Sequence, residues 1–298
     1  MIRKVYFTMI LALCLSPISA LAIEVRSFSD IPIKNDIVLG PAKVELRIDE
    51  GHDHTTYLDV LNRTGSPSVI SLDVEDFLSD NETGGAVLNK SINAPSISSL
   101  SPYVTVPKDI FVLEHGQQAH IPIEITIPRD LSPRGLYGAV LVSAVPQNNV
   151  GGATKVVTRL GSLFFVKVNG KIKEAGEFKQ IYRENNKIVL TFENSGDIYL
   201  NPYGAINVYE YYSRKLIKKI VVDPWFVLPG STRMREFIIG DLGPGKYAAQ
   251  VDLNRGYNDI VDYKELIFDV SSQQTSYGGL VTGVIIISLL WVFFFYKF

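Results

Sequence analysis

Short apolar runs alternate with polar positions and turn residues from residue 37 to residue 270, and no stretch keeps the period of a helix. The alternation is clearest in residues 42–49, 120–128 and 187–194, where every second side chain is aliphatic or aromatic. Successive side chains of a strand point to opposite faces, so each run predicts one buried face and one solvent-exposed (wet) face. Gly, Pro, Asn or Asp interrupts the runs about every ten positions, which is typical of β-sandwiches and barrels. The pattern predicts an all-β fold.

Three turn segments predict hairpins between neighbouring strands. They are rich in Asn and Gly, which tolerate the backbone conformations of tight turns, and they lie at residues 148–152, 184–186 and 254–259. Residues 79–101 differ, because they are dense in Ser, Asn and Gly and poor in aromatic residues. We expect a long surface loop or a partly disordered excursion there.

One short phrase occurs twice in the chain, as FVLEHG at residues 111–116 and as FVLPG at residues 226–230. Upstream of these phrases, LDVLNRTG (58–65) corresponds to VLTFENSG (189–196). Downstream, LSPRGLYGAVL (131–141) corresponds to LGPGKYAAQV (242–251). Recurrence of the whole series predicts two copies of one structural plan. We therefore predict two tandem immunoglobulin-like β-sandwiches, at residues 30–169 and 171–271.

A glycine and a tyrosine recur at matching places in the two copies. Gly116 and Gly230 are expected at chain reversals that need a positive φ, which glycine adopts without steric cost. Tyr137 and Tyr247 come shortly after a glycine at the start of a strand. Immunoglobulin-like sandwiches often place a tyrosine there, with its hydroxyl bonded to the preceding connection. We expect both tyrosines to make that bond.

The two ends of the chain have the patterns of targeting segments. Residues 1–22 carry Arg3 and Lys4, an apolar stretch that includes Cys14, and a final Ala-Leu-Ala, which predicts a secretory signal peptide cleaved after Ala22. Residues 278–296 are almost wholly apolar and would form a helix of roughly 28 Å, enough to cross a bilayer. We predict a single-pass membrane protein with its ectodomain outside. A buried core helix and a removable anchor signal are the alternatives for residues 278–296.

Composition narrows the class of protein further. Residues 23–298 contain no cysteine, whereas eukaryotic secreted domains of this size usually carry disulfides, so the chain fits a bacterial envelope protein. Without Arg3 and Lys4, 27 basic residues face 31 acidic residues, a net charge of −4. The sequence shows no basic stripe of the kind that binds nucleic acid.

Residues 104–143, VTVPKDIFVLEHGQQAHIPIEITIPRDLSPRGLYGAVLVS, resemble the first extracellular domain of Gram-positive surface proteins that partner WxL-domain proteins. The second copy resembles the module that follows in that family, through residues 194–210, 226–233 and 243–257. The resemblance implies two immunoglobulin-like domains, a C-terminal span, and binding to peptidoglycan or to WxL-type envelope proteins. The chain departs from the family at His115, where the family usually has Pro, and in its two-residue tail after the span.

Few residues have the spacing that catalysis or metal binding needs. His52 and His54, close to Asp49 and Glu50, have the residue types of a metal site, although Gly51 marks the segment as the tip of a hairpin. The remaining histidines, His115 and His120, have no nucleophile in a recognisable motif nearby. We expect Asp73, Glu75 and Asp76 to form the wet face of a strand, because they alternate with apolar residues.

Two further segments resemble binding motifs. Residues 240–246, GDLGPGK, approach the P-loop spacing, but Tyr247 stands where Mg²⁺ coordination needs Ser or Thr, so we reject that interpretation. Tyr209, Tyr211 and Tyr212 offer a platform for sugar rings or for a partner protein, or else they only cover a sheet. We predict no catalytic residue, no cofactor and no metal site, and assign no ligand-binding residue.

Together these patterns predict a non-enzymatic, membrane-anchored protein of the bacterial cell surface. Its immunoglobulin-like domains would bind cell-wall glycan (peptidoglycan) or another envelope protein. One alternative is an assembly factor of the pilus-chaperone type, which uses strand donation. Another is a metal-dependent enzyme centred on His52 and His54.

Overall fold

The computed structural model describes residues 22–80, 85–88, 97–147 and 156–271. Within these residues the chain forms eighteen strands and a 3-10 helix at Ser101–Tyr103, but no α-helix, which confirms the all-β prediction. The strands are β1 (Glu24–Ser27), β2 (Ile37–Gly40), β3 (Lys43–Ile48), β4 (Asp53–Asn62), β5 (Ser68–Ser79), β6 (Ala86–Leu88), β7 (Val104–Thr105), β8 (Phe111–Leu113), β9 (Gln117–Thr126), β10 (Gly135–Pro146), β11 (Thr158–Val168), β12 (Gly176–Glu184), β13 (Lys187–Asn194), β14 (Tyr203–Glu210), β15 (Leu216–Val222), β16 (Thr232–Ile238), β17 (Gly245–Asn254) and β18 (Val261–Val270).

Strands β1–β11 form the first sandwich. One sheet has the order β1-β9-β4-β2, with β7 also paired to β9, and the other has the order β3-β11-β10-β5-β6, with β8 also paired to β5. Alternation in β9 places Ile121, Ile123 and Ile125 in the interior with no exposed surface. They share one core with Phe164 and Val166 of the opposite sheet. The apolar face of each sheet therefore covers the other.

Strands β12–β18 form the second sandwich. A three-stranded sheet, β12-β13-β16, faces a four-stranded sheet, β15-β14-β17-β18. Their core contains Phe192 from the first of these sheets and Val208 and Val251 from the second. The first, second and fifth strands thus face the other four, which is the Greek-key order of an immunoglobulin-like sandwich. The predicted boundary at residues 169–171 falls between β11 and β12.

The three predicted hairpins are confirmed by antiparallel pairing of β10 with β11, β12 with β13 and β17 with β18. Asn185, in the second of these turns, has a left-handed φ of 53°. The loop predicted at residues 79–101 contains a short strand instead, since β6 pairs with the end of β5. Residues 81–84 and 89–96 of that segment lie outside the described residues.

The predicted terminal segments also lie outside the described residues, except for Ala22 at the end of the signal peptide. The described residues contain no helical segment with the length and hydrophobicity of a membrane span.

A buried asparagine explains why the two sandwiches repeat the same phrase. Asn62 ends β4 of the first sandwich, Asn194 ends β13 of the second, and both are fully buried. The Asn62 amide donates to the carbonyls of Ser66 and Leu113 at 2.9 and 2.7 Å. The Asn194 amide donates to the corresponding carbonyls, those of Ile198 and Val227, both at 2.8 Å. Each asparagine side chain therefore fastens the strand end to the repeated phrase.

These bonds also correct the alignment of the phrase itself. Leu113 is the third residue of the first FVL, whereas Val227 is the second residue of the other. The glycines agree with the bonded register, because the Gly116 and Gly230 N–H groups donate to the carbonyls of the two asparagines at 2.8 Å. Both glycines have positive φ, at 79° and 67°, as predicted. Matching the letters FVL to each other is therefore wrong by one residue.

The tyrosine prediction is confirmed in one copy and wrong in the other. The Tyr247 hydroxyl donates to the carbonyl of Gly243 in the preceding connection, at 2.9 Å. The Tyr137 hydroxyl instead accepts a hydrogen bond from the Tyr199 N–H of the second sandwich, at 2.7 Å.

The wet-face prediction for the acidic residues of β5 is wrong at Glu75. Asp73 is exposed, but the Glu75 side chain is only 7% exposed and pairs with Arg159 from β11. Asp76 accepts hydrogen bonds from the backbone N–H groups of Leu100 and Ser101. Two of the three carboxylates therefore hold other parts of the first sandwich in place.

Candidate functional site

Strand β11 has one fully paired side and one partly paired side. Along one side it pairs with β10 from Thr158 to Lys167. Along the other side it pairs with β3, and this pairing begins only at Leu163 of β11. The chain leading into β3 crosses β11 here, with the Ser162 hydroxyl donating to the Pro41 carbonyl at 2.7 Å. No strand of the described residues pairs with the earlier part of β11 on this side.

The direction of the backbone groups on this free side follows from strand geometry. The Leu163 N–H donates towards β3, to the carbonyl of Ala42 at 3.0 Å. Backbone groups of a strand alternate in direction, so Arg159 and Gly161 present their N–H and C=O groups on the same side as Leu163. A row of such groups is a template for pairing with another strand. We call residues 156–161, VVTRLG, the free edge.

The side chains of the free edge are mostly apolar. Val156 is 60% exposed and Val157 is 47% exposed, while Leu160 packs on the core of the first sandwich. Arg159 is the only charged residue in the segment. Its guanidinium pairs with Glu75 and Asp73 of β5 on the outer face of the sheet, so the Arg159 side chain lies over the sheet and does not extend from the edge.

Three of the longer edge strands carry more charge than the free edge, whereas the short edge strands β2 and β6 carry none. Proteins commonly place charged residues on edge strands, which discourages pairing with another chain. Strand β15 has two lysines, β16 has two arginines and a glutamate, and β3 has Lys43, Glu45 and Arg47. The free edge has one charge, and that charge is occupied. It is therefore well suited to accept a strand.

The carboxyl end of β11 takes part in the junction between the sandwiches. Phe165 packs against Tyr199 and Phe226 of the second sandwich, with ring centroids 4.8 and 5.1 Å apart. Leu228 is 4% exposed and belongs to the same cluster. Phe226 and Leu228 of the second phrase thus pack on the first sandwich, while Val227 lies in the core of its own. Burial raises the pKa of the Tyr137 hydroxyl, which bonds across this junction.

A cleft of about 450 Å³ opens beside this aromatic cluster, with Glu45, Arg47 and Lys167 among its lining residues. Arg47 and Lys167 are direct neighbours in the pairing of β3 with β11. Burial would raise the pKa of Glu45, but the hydrogen bond and charge of Lys43, with hydrogen bonds from Tyr199 and Asn201, together lower that pKa. The cleft therefore has charged walls contributed mainly by the first sandwich.

Among the described residues, the structure does not bring His52 and His54 together with further ligands into a metal site. His52 is exposed in the turn between β3 and β4, where it contacts the carbonyl of Glu50, and His54 is exposed in β4. The predicted hairpin tip is wrong, because β3 and β4 belong to different sheets. In the described part of the chain, no group of three His, Cys, Asp or Glu residues is placed to hold a metal ion.

His115 and His120 have structural partners. His115 accepts from the Gly65 N–H at Nδ1 and contacts the Ile31 carbonyl at 3.0 Å through Nε2. It thereby connects the N-terminal segment to the first copy of the phrase. His120 contacts Asp59 at 2.8 Å and stacks on the ring of Tyr57.

The tyrosines at residues 209–212 do not form a flat platform. Tyr209 lies in β14, which is a central strand of its sheet, and Tyr211 and Tyr212 follow in the turn. The rings of Tyr211 and Tyr212 are nearly perpendicular, at 87°. The segment GDLGPGK leads into strand β17, so it lacks the helix that a P-loop requires.

No family model matches the chain, and no curated protein matches it. Several solved structures of bacterial pilus chaperones are similar in fold. The YadV chaperone has 15% identity and a TM-score of 0.42, with 78% of this chain and 100% of that chain covered. A chaperone–tip adhesin complex of Csu pili from Acinetobacter baumannii has 12% identity and a TM-score of 0.39, with 77% and 97% covered. A Salmonella enterica SafA pilin–SafB chaperone complex has 17% identity and a TM-score of 0.37, with 82% and 99% covered.

Proposed function

We propose that this protein is a non-enzymatic, membrane-anchored protein of the bacterial envelope that binds another envelope protein by strand pairing at the free edge. The observation that carries the proposal is the unpaired side of β11 at Arg159 and Gly161, next to exposed Val156 and Val157. In strand addition, backbone hydrogen bonds supply affinity and alternate side chains supply specificity. The free edge offers both.

A partner strand at this edge would lie in line with β3, upstream of the point where β3 begins. It would extend the six-stranded sheet of the first sandwich, since no described strand pairs with β11 there. The exposed valines would lose contact with water on binding, which favours association. Arg159 would not be trapped without a partner, because Glu75 already pairs with it.

Anchoring is the second part of the proposal, and the sequence supports it through the predicted signal peptide and the apolar residues 278–296. The resemblance of residues 104–143 to proteins that partner WxL-domain proteins supports an envelope protein as the binding partner. The signal peptide and the span at residues 278–296 would together place the two sandwiches outside the membrane.

Site-specific photo-crosslinking in bacterial cells that express the full chain tests the proposal. A benzoylphenylalanine at Val157 should give a discrete adduct with one envelope protein, which mass spectrometry would identify. The same probe at Tyr263, which is 57% exposed on the second sandwich, serves as the control. We expect no matching adduct from that position.

Two variants at one position isolate the role of the backbone. Arg159→Ala and Arg159→Pro both remove the bond to Glu75, but only proline also removes the outward N–H. We expect Arg159→Ala to retain the Val157 adduct and Arg159→Pro to lose it, with similar thermal stability. Equal adducts from both variants, or no adduct from Val157 at all, would count against strand pairing.

A further inference from the structure

The turn between β14 and β15 carries an exposed segment that combines aromatic, basic and aliphatic residues. We call residues 211–219, YYSRKLIKK, the basic hairpin; it contains four cationic residues and no acidic residue. Tyr212 is 78% exposed, Leu216 48% and Ile217 43%. Apolar side chains grouped on a surface and bordered by polar residues are typical of sites that contact a membrane or another protein.

The basic hairpin lies at the end of the second sandwich from which the chain continues towards the predicted span. Glu210 is the pairing neighbour of Tyr247, and Gly245 is the pairing neighbour of Val270, the last residue of β18. The Tyr211 N–H donates to the carbonyl of Lys246 at 2.9 Å, which holds the turn against the start of β17. The hairpin and the end of β18 therefore share one end of the sandwich.

The connection from this end to the predicted span is short. Residues 271–277 separate Val270 from the apolar run that begins at Gly278. Seven residues extend at most about 25 Å. If residues 278–296 span the bilayer, as the proposed function holds, this end of the sandwich lies within that distance of the lipid headgroups.

The chemistry of the basic hairpin matches an anionic lipid surface. Tyrosine is enriched at the level of the headgroups, and lysine and arginine are attracted to anionic lipids. Lys215 and Lys219 have no acidic partner among the described residues. Lys246 adds a further cation, since its Nζ lies 4.7 Å from the centre of the Tyr211 ring.

Three of the acidic groups at the same end are already engaged. Glu265 pairs with Arg214, and Glu210 accepts a hydrogen bond from Ser213. Asp241, Asp269 and Glu184 are further carboxylates near this end, and Glu236 there is paired with Lys187. They belong to the loop before β17, to β18, to the end of β12 and to β16, and not to the hairpin itself.

We propose that the basic hairpin rests on the headgroups of an anionic bilayer and fixes the orientation of the second sandwich on the membrane; this rests on the anchoring part of the proposed function. The arrangement would also keep the free edge available, because β11 runs from that edge towards the junction with the second sandwich. A partner protein would then reach the free edge from the side away from the bilayer.

Fluorescence quenching in reconstituted residues 23–298 tests this inference. These residues contain no cysteine, so Ser213→Cys carries a unique label at the tip of the hairpin. Asn258→Cys, in the β17–β18 turn at the opposite end of the sandwich, is the matched control. Both proteins are placed in phosphatidylcholine vesicles with roughly 30% phosphatidylglycerol and a headgroup-level nitroxide quencher.

We expect quenching at position 213 to exceed quenching at position 258 by about threefold or more, and to fall in vesicles without phosphatidylglycerol. The double variant Lys215→Glu/Lys219→Glu should reduce it as well. Tryptophan fluorescence of residues 23–271 of this variant, in which Trp225 is the only tryptophan, checks that the second sandwich is folded. Equal quenching at both positions in membrane-retained protein would overturn the inference and leave the anchor intact. Release of the chain from the vesicles by alkaline carbonate would instead overturn the anchor, and the inference with it.

Discussion

Replacing Asn194 by alanine should destabilise the second sandwich strongly. The side chain makes three hydrogen bonds, to the carbonyls of Ile198 and Val227 and from the N–H of Gly196, all between 2.8 and 2.9 Å. Each is worth about 1 kcal/mol net, and buried carbonyls left without a donor add a further penalty. We expect a loss of about 3–5 kcal/mol, a large part of the about 5–15 kcal/mol that stabilises a typical domain.

Urea unfolding of residues 23–271 measures this loss selectively. Trp225 is the only tryptophan in that segment and is 5% exposed in the second core, so its fluorescence follows the second sandwich. A loss of this size lowers the midpoint by about 2 M for a urea dependence of about 2 kcal/mol per molar. Asn62→Ala, the same change in the first sandwich, should shift the Trp225 transition much less.

Asn207→Ala is the control on the outer face of β14, where a surface substitution costs within about 0.5 kcal/mol. A change of less than about 1 kcal/mol for Asn194→Ala would refute the role given to the buried amide. An equal shift for Asn62→Ala would show that the two sandwiches unfold as one unit.

Three further outcomes follow from the junction and the repeated turns. Gly116→Ala should destabilise its sandwich more than Gly230→Ala in thermal unfolding, because a Cβ at Gly116 would lie 2.7 Å from the Phe28 carbonyl, while nothing lies within 4 Å at Gly230; equal effects would contradict this. Tyr137→Phe removes the hydroxyl that accepts a hydrogen bond across the junction and should speed proteolysis of residues 169–175. An unchanged rate would show that this bond does not stabilise the junction. The pKa of Glu45 is lowered in the folded protein, so its ionised carboxylate contributes fully to the free energy of unfolding above the ordinary pKa of 4.5, and this contribution is lost as the pH falls below that value. Between about pH 6 and about pH 3, the urea midpoint should therefore fall less steeply in Glu45→Gln than in the unchanged protein, and parallel curves would contradict the assignment.

Strand alternation was sufficient to predict the all-β fold and the three hairpins. The apolar positions of β9 and β13 repeat every second residue, and that period reports which face is buried. The turns were predictable as well, because Asn and Gly at residues 184–186 and 254–259 have conformational preferences that act locally.

Features that depend on distant residues were not predictable in the same way. Glu75 looks like a wet-face carboxylate, but Arg159, 84 residues away, covers it. Tyr137 matches the pattern of Tyr247, but the neighbouring sandwich redirects its hydroxyl. The one-residue error in aligning the repeated phrase has the same origin, since hydrogen bonds from Asn62 and Asn194 set the register.

The free edge was also invisible in the sequence. VVTRLG resembles other strand segments, and its letters do not show that β3 joins β11 only at Leu163. The partial pairing follows from the crossing of the chain at Pro41, which is 121 residues from its contact at Ser162. A charge-poor stretch that opens a long strand was the only available signal.

Residue-resolved amide hydrogen exchange of residues 23–271 tests the open edge most directly, because it needs no partner. The N–H groups of Thr158 and Leu160 point towards β10 and should exchange slowly. The N–H groups of Arg159 and Gly161 point away from β10 and should exchange at rates close to those of an unprotected strand edge. Addition of the partner protein identified by crosslinking should then slow exchange at Arg159 and Gly161 but not at Thr158 and Leu160. Equal protection at all four amides in the isolated protein would show that the edge is already paired and would contradict the account.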